Sequence, residues 1–283
     1  MRFRNPIAAH RVANPQATAV GCFAHPRLPS SGTVRYDAEM STPRRVALVT
    51  GGAKRVGKAI VQRLAGAGFD VAFTYLNSEI DAVDFRTELE SAGTAAIAIK
   101  ADFTHAQRAT DTIARAFAEK FDRLDVLVNS ASLYEPATLG ATDLQLSRRL
   151  MAVHFESPLL LCQAFAPLLR RNRGHVVNML DLLAERPWPQ YLAYCASKAA
   201  LWNLTLGLAR ELAPDVTVNG IAPGVVEWPD DYPAGEREKY LKRVPLARPG
   251  TPQDVADTVH FLATAGNYIT GQVIRLDGGR SIT

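Results

Sequence analysis

The sequence is poor in cysteine and lacks long apolar runs. Its 283 residues include three cysteines (Cys22, Cys162 and Cys195), an odd number without the spacing of metal ligands. A disulfide framework and a metal site are therefore not indicated, and a reducing, cytoplasmic location is the simplest interpretation. No uninterrupted apolar run approaches the roughly 18 residues that a membrane span needs, so we expect no membrane association.

The chain also lacks a charge imbalance outside its first 39 residues. The net charge is +4, and residues 1–39 contribute +3 through five arginines against Asp37 and Glu39. The remaining +1 gives no indication of nucleic-acid binding, despite the basic isoelectric point. An apolar fraction of 47% and a charged fraction of 21% are ordinary for a soluble globular enzyme.

Residues 1–39 show no periodicity and are rich in proline, which indicates a disordered or irregular leader. Their arginine-rich, acid-poor composition also fits a transit peptide, although a clean amphipathic helix and the apolar core of a secretory signal are missing. Met40–Arg45 leads directly into the first predicted strand. We therefore hypothesise that Met40 is the true initiator and that the leader is dispensable or an artefact of start-site choice.

From Arg45 to Thr283, short apolar runs alternate with longer amphipathic stretches. The apolar runs predict seven strands, at 46–49, 71–73, 96–99, 126–128, 176–179, 216–218 and 273–276. The amphipathic stretches predict helices near 56–67, 79–92, 105–120, 143–171, 192–212 and 252–264. Runs rich in β-branched residues suit strands that are buried on both faces of a parallel sheet. This alternation predicts a single Rossmann-type, doubly wound α/β domain over 45–283, with a seven-stranded parallel sheet flanked by helices.

A glycine-rich turn, Thr50–Gly57, joins the first predicted strand to the first predicted helix. Glycine permits a tight turn and close backbone approach, and a helix N-terminus favours a pyrophosphate. The stretch Tyr75–Ser78 after the second strand contains no Asp or Glu to hold a ribose 2′-hydroxyl. Together with Lys54, Arg55 and Ser78, this absence favours NADPH over NADH.

Tyr194 and Lys198 are four residues apart and so share one face of a predicted helix. We expect the ammonium of Lys198 to lower the pKa of the Tyr194 phenol, so that Tyr194 donates a proton near neutral pH. Asp181 stands thirteen residues before Tyr194. A carboxylate at this place suits a nitrogen heterocycle, because it accepts hydrogen bonds from ring N–H groups and favours protonation at nitrogen.

The Tyr-x-x-x-Lys pair, the glycine-rich turn and the loops at successive strand ends resemble the short-chain dehydrogenase/reductase family over residues 45–283. Most members carry Ser where this chain has Asp181. The aspartate, and the Arg55 variant of the glycine-rich turn, resemble the pteridine reductases. The resemblance implies an NADPH-dependent reductase that transfers a hydride to a C=N bond of a dihydropteridine, dihydromonapterin or dihydrofolate.

The resemblance also implies three groups of site residues. The catalytic residues are Asp181 and Tyr194, as the proton-donor system, and Lys198, which positions the cofactor. The implied NADPH contacts are Gly51, Lys54, Arg55, Val56, Gly57, Tyr75, Asn77, Ser78, Asp102, Phe103, Asn129, Ser130, Ala131, Ser132, Tyr194, Lys198, Pro223 and Gly224. The implied pterin contacts are Arg55, Ser132, Tyr134, Asp181, Tyr194 and Trp228. Tyr134 is expected to stack on the flat ring, and Trp228 to form a wall in a covering loop at 225–232.

Two other functions remain open. A 3-oxoacyl-type carbonyl reductase is disfavoured by Asp181, because a carboxylate repels a developing alkoxide unless it is protonated. A catalytically silent NADP-binding sensor is disfavoured because both Tyr194 and Lys198 are present. His154 stands where relatives usually place Asn, and we expect activity to survive with an altered proton path. The family's usual assembly through the helices at 143–171 and 192–212 implies a homotetramer.

Overall fold

Seven parallel strands form the centre of this computed structural model, which describes residues 43–228 and 233–283. The strand order is β3-β2-β1-β4-β5-β6-β7, which reverses direction between β1 and β4 as a doubly wound sheet does. The strands are β1 Val46–Val49, β2 Asp70–Tyr75, β3 Ala96–Lys100, β4 Val126–Asn129, β5 His175–Met179, β6 Thr217–Pro223 and β7 Val273–Leu276. The predicted fold class is confirmed. The predicted leader at 1–39 and the start at Met40 lie outside the described residues.

Eight helices connect the strands in the described part of the chain. They are α1 Arg55–Gly66, α2 Glu79–Ser91, α3 Ala106–Lys120, α4 Leu144–Met151, α5 Ser157–Asn172, α6 Leu192–Glu211, α7 Ala234–Leu241 and α8 Pro252–Thr264. The helix predicted over 143–171 is divided by a π-helical turn, Ala152–Glu156. Sequence reasoning missed α7, which is short and buries none of its side chains, so it has no apolar face to predict it.

Apolar side chains cover both faces of the sheet. On one face, α1, α2 and α8 contribute residues such as Ile60, Phe85 and Val259 to a common core. On the other face, Phe117 of α3 and Phe165 of α5 pack edge to face, with ring centroids 5.1 Å apart. Helices therefore flank the sheet on both sides, and the active-site candidates lie at its carboxyl edge, where the loops emerge.

One stretch of helix, Leu144–Asn172, is long and apolar enough to cross a membrane by length and composition alone. Half of its most apolar 18-residue window is buried in the structure. Leu161, Phe165 and Leu169 from this stretch pack in the core against the sheet. A core helix satisfies the same criteria, so this observation is weak evidence for a membrane span.

The loops after β1 and β4 are tied together at the carboxyl edge of the sheet. The hydroxyl of Thr50 accepts hydrogen bonds from the backbone N–H groups of Ser130 (2.8 Å) and Ala131 (2.9 Å). The backbone N–H of Gly51 donates to the hydroxyl of Thr74 at 2.9 Å. These bonds fix the glycine-rich turn relative to three neighbouring strands.

Replacing Gly57 by alanine is expected to destabilise this turn. A Cβ at Gly57 would lie 2.1 Å from the carbonyl oxygen of Gly51, which is backbone and has little freedom to move. We expect the free energy of unfolding, measured by urea denaturation, to fall by about 1–3 kcal/mol. Gly66→Ala is the matched control, because a Cβ there meets nothing within 4 Å. The free energy of unfolding of the control should rise by about 0.5–1 kcal/mol. Equal stability of the two variants would contradict this account.

Candidate active site

A cavity of about 660 Å³ opens at the carboxyl edge of the sheet. Its walls come from the turn after β1, the loops after β4, β5 and β6, helices α6 and α7, and the C-terminal end of the chain. It brings together nine of the residues predicted from sequence: Arg55, Val56, Ser132, Tyr134, Asp181, Tyr194, Pro223, Gly224 and Trp228. These include all six of the predicted pterin contacts.

Several of the other predicted residues have side chains that are engaged elsewhere in the fold. The carboxylate of Asp102 accepts hydrogen bonds from the backbone N–H (2.9 Å) and hydroxyl (2.7 Å) of Thr104. Phe103 is buried in the core, and the amide of Asn129 donates to Asn178 across the sheet at 2.8 Å. Lys54, with Arg55, lines a separate cavity of about 470 Å³ between α1 and α2. The predicted residues outside both cavities are Gly51, Gly57, Tyr75, Asn77, Ser78, Asp102, Phe103, Asn129, Ser130, Ala131 and Lys198.

Asp181, Tyr194 and Lys198 converge at the end of β5. The hydroxyl of Tyr194 donates to Oδ2 of Asp181 at 2.7 Å. The other carboxylate oxygen, Oδ1, accepts from the backbone N–H of Leu183 at 2.8 Å and so caps a short 3₁₀ turn. The ammonium of Lys198 donates to the carbonyl oxygen of Met179 at 2.8 Å and lies 5.8 Å from the ring centroid of Tyr194. Tyr194 and Asp181 are therefore joined by a hydrogen bond, and Lys198 interacts with Asp181 through its charge.

Burial dominates the electrostatics of this group. Burial and the negative charge of Asp181 raise the pKa of Tyr194 well above its usual value. Burial also raises the pKa of Asp181 and lowers the pKa of Lys198 to about 8. The expectation that Lys198 makes Tyr194 acidic is therefore wrong for this structure, because removal from water and the nearby carboxylate both favour the neutral phenol. Tyr194 consequently keeps its proton throughout the neutral pH range.

His154 supports the same wall of the cavity from the π-helical turn. Its Nδ1 lies 2.8 Å from the hydroxyl of Ser197, and its Nε2 accepts a hydrogen bond from the backbone N–H of Leu133 at 3.2 Å. Because a backbone N–H only donates, the ring proton belongs on Nδ1, which donates to Ser197. Ser197 in turn donates to the carbonyl oxygen of Tyr194 at 2.7 Å. Burial and the charge of Lys198 lower the pKa of His154 well below its usual value, which keeps the ring neutral.

This arrangement also orients Ser132. Its hydroxyl lies 2.9 Å from Nε2 of His154, which has a lone pair and no proton in the tautomer just described. Ser132 therefore donates to the same lone pair as the backbone N–H of Leu133, and its hydroxyl also hydrogen-bonds with Tyr194. His154 thus links the loop after β4 to α6.

Aromatic rings form much of the remaining wall. Tyr134 stacks on Tyr191 with ring centroids 4.6 Å apart and an interplanar angle of 18°. It also meets Tyr194 at right angles, at 4.8 Å. Trp228 packs edge to face on Tyr240 of α7 at 5.4 Å. The remainder of the predicted covering loop, 229–232, lies outside the described residues.

Arg55 occupies an unusual backbone position beside the cavity. Its φ angle is 51°, in the left-handed region that favours glycine, and its Nε lies 2.6 Å from Oε2 of Glu227. Sequence reasoning expected this guanidinium to be available for an anion. The structure instead pairs it with a carboxylate of the loop after β6, so an anion must compete with Glu227.

Sequence reasoning missed several wall residues. Trp188 and Tyr191 lie between Asp181 and Tyr194 in the sequence, so their aromatic character near two candidate residues was an available signal. Tyr240 and Arg280 also line the cavity, but only the positions of α7 and the C-terminal turn bring them there. No local pattern in the sequence indicates that arrangement.

The fold and the site together define a class of protein. A doubly wound parallel sheet places ligands at the carboxyl ends of its strands, where the chain reverses direction. Here that edge combines a glycine-rich strand-to-helix turn with a buried tyrosine, lysine and aspartate. This combination is typical of a dinucleotide-dependent oxidoreductase.

Comparisons with known proteins identify the family. A family model described as Enoyl-(Acyl carrier protein) reductase matches residues 51–281. The chain belongs to the short-chain dehydrogenase/reductase family and is an oxidoreductase.

Three similar proteins carry different names. A 3-oxoacyl-[acyl-carrier-protein] reductase of Synechocystis is 35% identical, covering 83% of this chain and 96% of its own. Pteridine reductase 1 of Leishmania tarentolae is 32% identical, and the match covers 84% of this chain and 96% of that protein. The crystal structure of FolM alternative dihydrofolate reductase 1 from Brucella canis, complexed with NADP, is 35% identical, covers 84% and 95%, and has a TM-score of 0.73. The family is therefore confirmed, whereas the names span carbonyl and pteridine substrates.

Lys198→Met is expected to make the protein more stable at pH 7. Burial lowers the pKa of Lys198 from 10.5 to about 8. Keeping this ammonium charged in the folded protein therefore lowers the free energy of unfolding by about 3 kcal/mol. Losing the hydrogen bond to Met179 costs about 1 kcal/mol. The free energy of unfolding of Lys198→Met should therefore exceed that of the wild-type protein by about 2 kcal/mol.

The pH dependence separates this explanation from simple repacking. Between about pH 8 and 10.5 the unfolded chain holds a proton that the folded protein has lost, so wild-type stability rises with pH. The advantage of Lys198→Met should therefore be largest below pH 8 and shrink toward pH 10.5. Lys100→Met removes an exposed lysine and should change stability by less than about 0.5 kcal/mol. A pH-independent gain in urea denaturation would contradict the buried-charge explanation.

Proposed function

We propose that this protein is an NADPH-dependent reductase that transfers a hydride to a C=N bond of a pterin. The observation that carries the proposal is the partly buried hydrogen bond of 2.7 Å between Tyr194 and Asp181 at the cavity wall. The site thereby offers a protonated phenol and an adjacent carboxylate to the substrate. A pterin ring has nitrogen atoms that receive a proton and N–H groups that donate to a carboxylate.

Features of the glycine-rich turn support the choice of NADPH. Lys54 at the N-terminus of α1 makes no side-chain capping bond, and the first helical turn contains no acid, which leaves its N–H groups for a pyrophosphate. Ser78 likewise makes no capping bond, and no acidic residue occupies 75–78. Lys54 pairs with Asp81 at 2.8 Å, but the pair is exposed to solvent, which weakens it and allows Lys54 to exchange this partner for a phosphate. When bound, NADPH supplies the hydride.

The proposed proton path runs through the chain's own residues. Tyr194 keeps its proton at neutral pH because its pKa is raised, and it delivers that proton to a ring nitrogen directly or through water. Asp181 accepts from a ring N–H and holds the substrate nitrogen near the phenol. Lys198 is charged below about pH 8 and offsets the negative charge that remains on the Tyr194–Asp181 pair. It would also hold the nicotinamide ribose.

The aromatic wall supports a flat substrate. Tyr134 lines the cavity beside Tyr191, and its ring would contact a flat bicyclic substrate there. Trp228 lines the same cavity and would help to exclude water from the reacting atoms. The names of Pteridine reductase 1 and of the FolM structure, which was determined with NADP, agree with this assignment.

A carbonyl reductase of the 3-oxoacyl type is the second candidate, and one observation favours it. Burial raises the pKa of Asp181, and a protonated carboxyl donates to a developing alkoxide instead of repelling it. The Synechocystis relative carries that activity in its name. The sensor hypothesis has no comparable support, since the chain belongs to a family of oxidoreductases.

The cytoplasmic location and the homotetramer stay predictions. Leu192 and Leu206 of α6 are large apolar side chains with 44% and 39% of their surface exposed. Exposed leucines on this helix support the proposal that a partner subunit covers it. Analytical ultracentrifugation would determine the oligomeric state.

Substrate panels with two variants test the proposed function. We expect the wild-type protein to oxidise NADPH with dihydropterins or dihydrofolate at a much higher kcat/KM than with acetoacetyl thioesters. Tyr194→Phe should lower kcat with every substrate by about 10²–10⁴-fold, because it removes the general acid. Asp181→Ser should lower activity toward pterins and raise it toward keto substrates. A gain of pterin activity in Asp181→Ser would overturn the role of the carboxylate, and Asp111→Ser, an exposed aspartate of α3, is the control.

The pH profile provides a second readout of the pair. The carboxylate of Asp181 raises the pKa of Tyr194, so Asp181→Ser should lower that pKa relative to the wild-type protein. Activity that requires the protonated phenol is lost as pH rises through this pKa. The part of the basic limb that reports Tyr194, which lies above the loss of charge from Lys198 at about pH 8, should therefore move to lower pH in Asp181→Ser. An unchanged basic limb would show that Tyr194 is not the acid that the profile reports.

A further inference from the structure

Arg280 is a buried cation that forms no ion pair with any residue in the described part of the chain. It lines the same cavity as Asp181 and Tyr194 and is only 9% exposed. Its Nε is fully buried and has no hydrogen-bond partner among the residues that the structure describes. The guanidinium lies against the ring of Tyr240, 5.6 Å from the ring centroid. A cation–π contact compensates only part of the cost of removing a charge from water.

The C-terminal turn holds Arg280 firmly in this position. Gly278 and Gly279 have φ angles of 61° and 88°, and a Cβ at either would lie 2.8 Å from Val244 or Pro245. The carboxylate of Asp277 accepts from the backbone N–H groups of Gly279 (2.9 Å) and Ser281 (2.7 Å). The turn therefore fixes the backbone that aims Arg280 into the cavity.

The acids of the cavity are already engaged. Among the described residues that line it, only Asp181 and Glu227 are acidic. Asp181 accepts from Tyr194 at 2.7 Å, and Glu227 pairs with Arg55 at 2.6 Å. Arg280 is therefore the cation of this wall that is buried and still has an unused donor. A cavity of about 660 Å³ has room for a bicyclic ring together with a tail that reaches a second site.

We propose that Arg280 forms an anion-binding subsite that takes a carboxylate on the tail of the substrate. This inference rests on the proposed pterin reductase activity and specifies it further. A planar guanidinium binds a carboxylate through paired N–H donors, and a buried charge-assisted pair is stronger than an exposed one. The enzyme is therefore expected to prefer a pterin that carries a carboxylate tail over one with a short neutral side chain.

The test compares two substrates that share the reducible ring. Dihydrofolate carries a carboxylate tail, and dihydrobiopterin carries a short hydroxylated chain without a charge. Arg280→Gln should raise KM for dihydrofolate by about 10- to 100-fold and leave KM for dihydrobiopterin within about twofold, because a hydrogen bond to a charged group is lost only with the first. Arg280→Lys keeps the charge but loses the paired N–H donors of the guanidinium. Its KM for dihydrofolate should therefore lie between those of the wild-type protein and Arg280→Gln.

Arg108→Gln is the control. Arg108 is an exposed residue of α3 that lines neither cavity. This variant should change neither KM by more than about twofold, since exposed charges contribute little. Thermal denaturation and NADPH affinity of the Arg280 variants show whether the fold is intact.

The outcomes are distinguishable. A rise in KM for dihydrofolate alone, smaller in Arg280→Lys than in Arg280→Gln, supports the subsite. Equal effects on the two substrates, or no effect on either, overturn it while leaving the pterin reductase activity in place. A wild-type protein that reduces neither substrate overturns the proposed function and this inference with it.

Discussion

The active site is organised around one buried ammonium. Lys198 is almost completely removed from water, and the site compensates with a carbonyl oxygen at 2.8 Å and a carboxylate close by. That carboxylate, Asp181, is itself buried and needs donors, which it finds in Leu183 and Tyr194. The charge of Lys198 is therefore balanced by Asp181, and Asp181 in turn receives hydrogen bonds from Leu183 and Tyr194. A member of the family with serine at position 181 would balance the same lysine with less negative charge, and would present a different surface to its substrate.

His154 extends this network to the far side of the cavity. A π-helical turn contains one more residue per hydrogen-bonded ring than an α-helix, and such turns are often functional. Here the turn places an imidazole between Ser132 and Ser197, so the loop after β4 and helix α6 share one hydrogen-bonded chain. Because the ring is neutral and its tautomer fixed, the network has a single orientation. The network therefore holds this wall of the cavity in one arrangement around Tyr194.

Sequence patterns predicted the fold well because most of its strands are buried and helices such as α1 and α3 are amphipathic. They failed where a buried polar group depends on distant partners. Strand β6 runs on to Pro223 through Asn219 and Gly220, which resemble a turn in sequence. In the structure, Asn219 bonds to the backbone of Ile269 and Gln272. Arg280 likewise acquires its surroundings only from tertiary packing. The pKa of Tyr194 was predicted in the wrong direction because spacing reveals the neighbouring charges but not the extent of burial.

The left-handed backbone at Arg55 has a consequence for how the protein receives its nucleotide. A non-glycine residue in this conformation costs about 1–2 kcal/mol, whereas an exposed pair such as Arg55–Glu227 returns only about 0–1 kcal/mol. The turn therefore carries uncompensated strain before any ligand arrives. The chain itself holds the turn in this conformation, so the energetic cost of forming it is met during folding and not by the nucleotide.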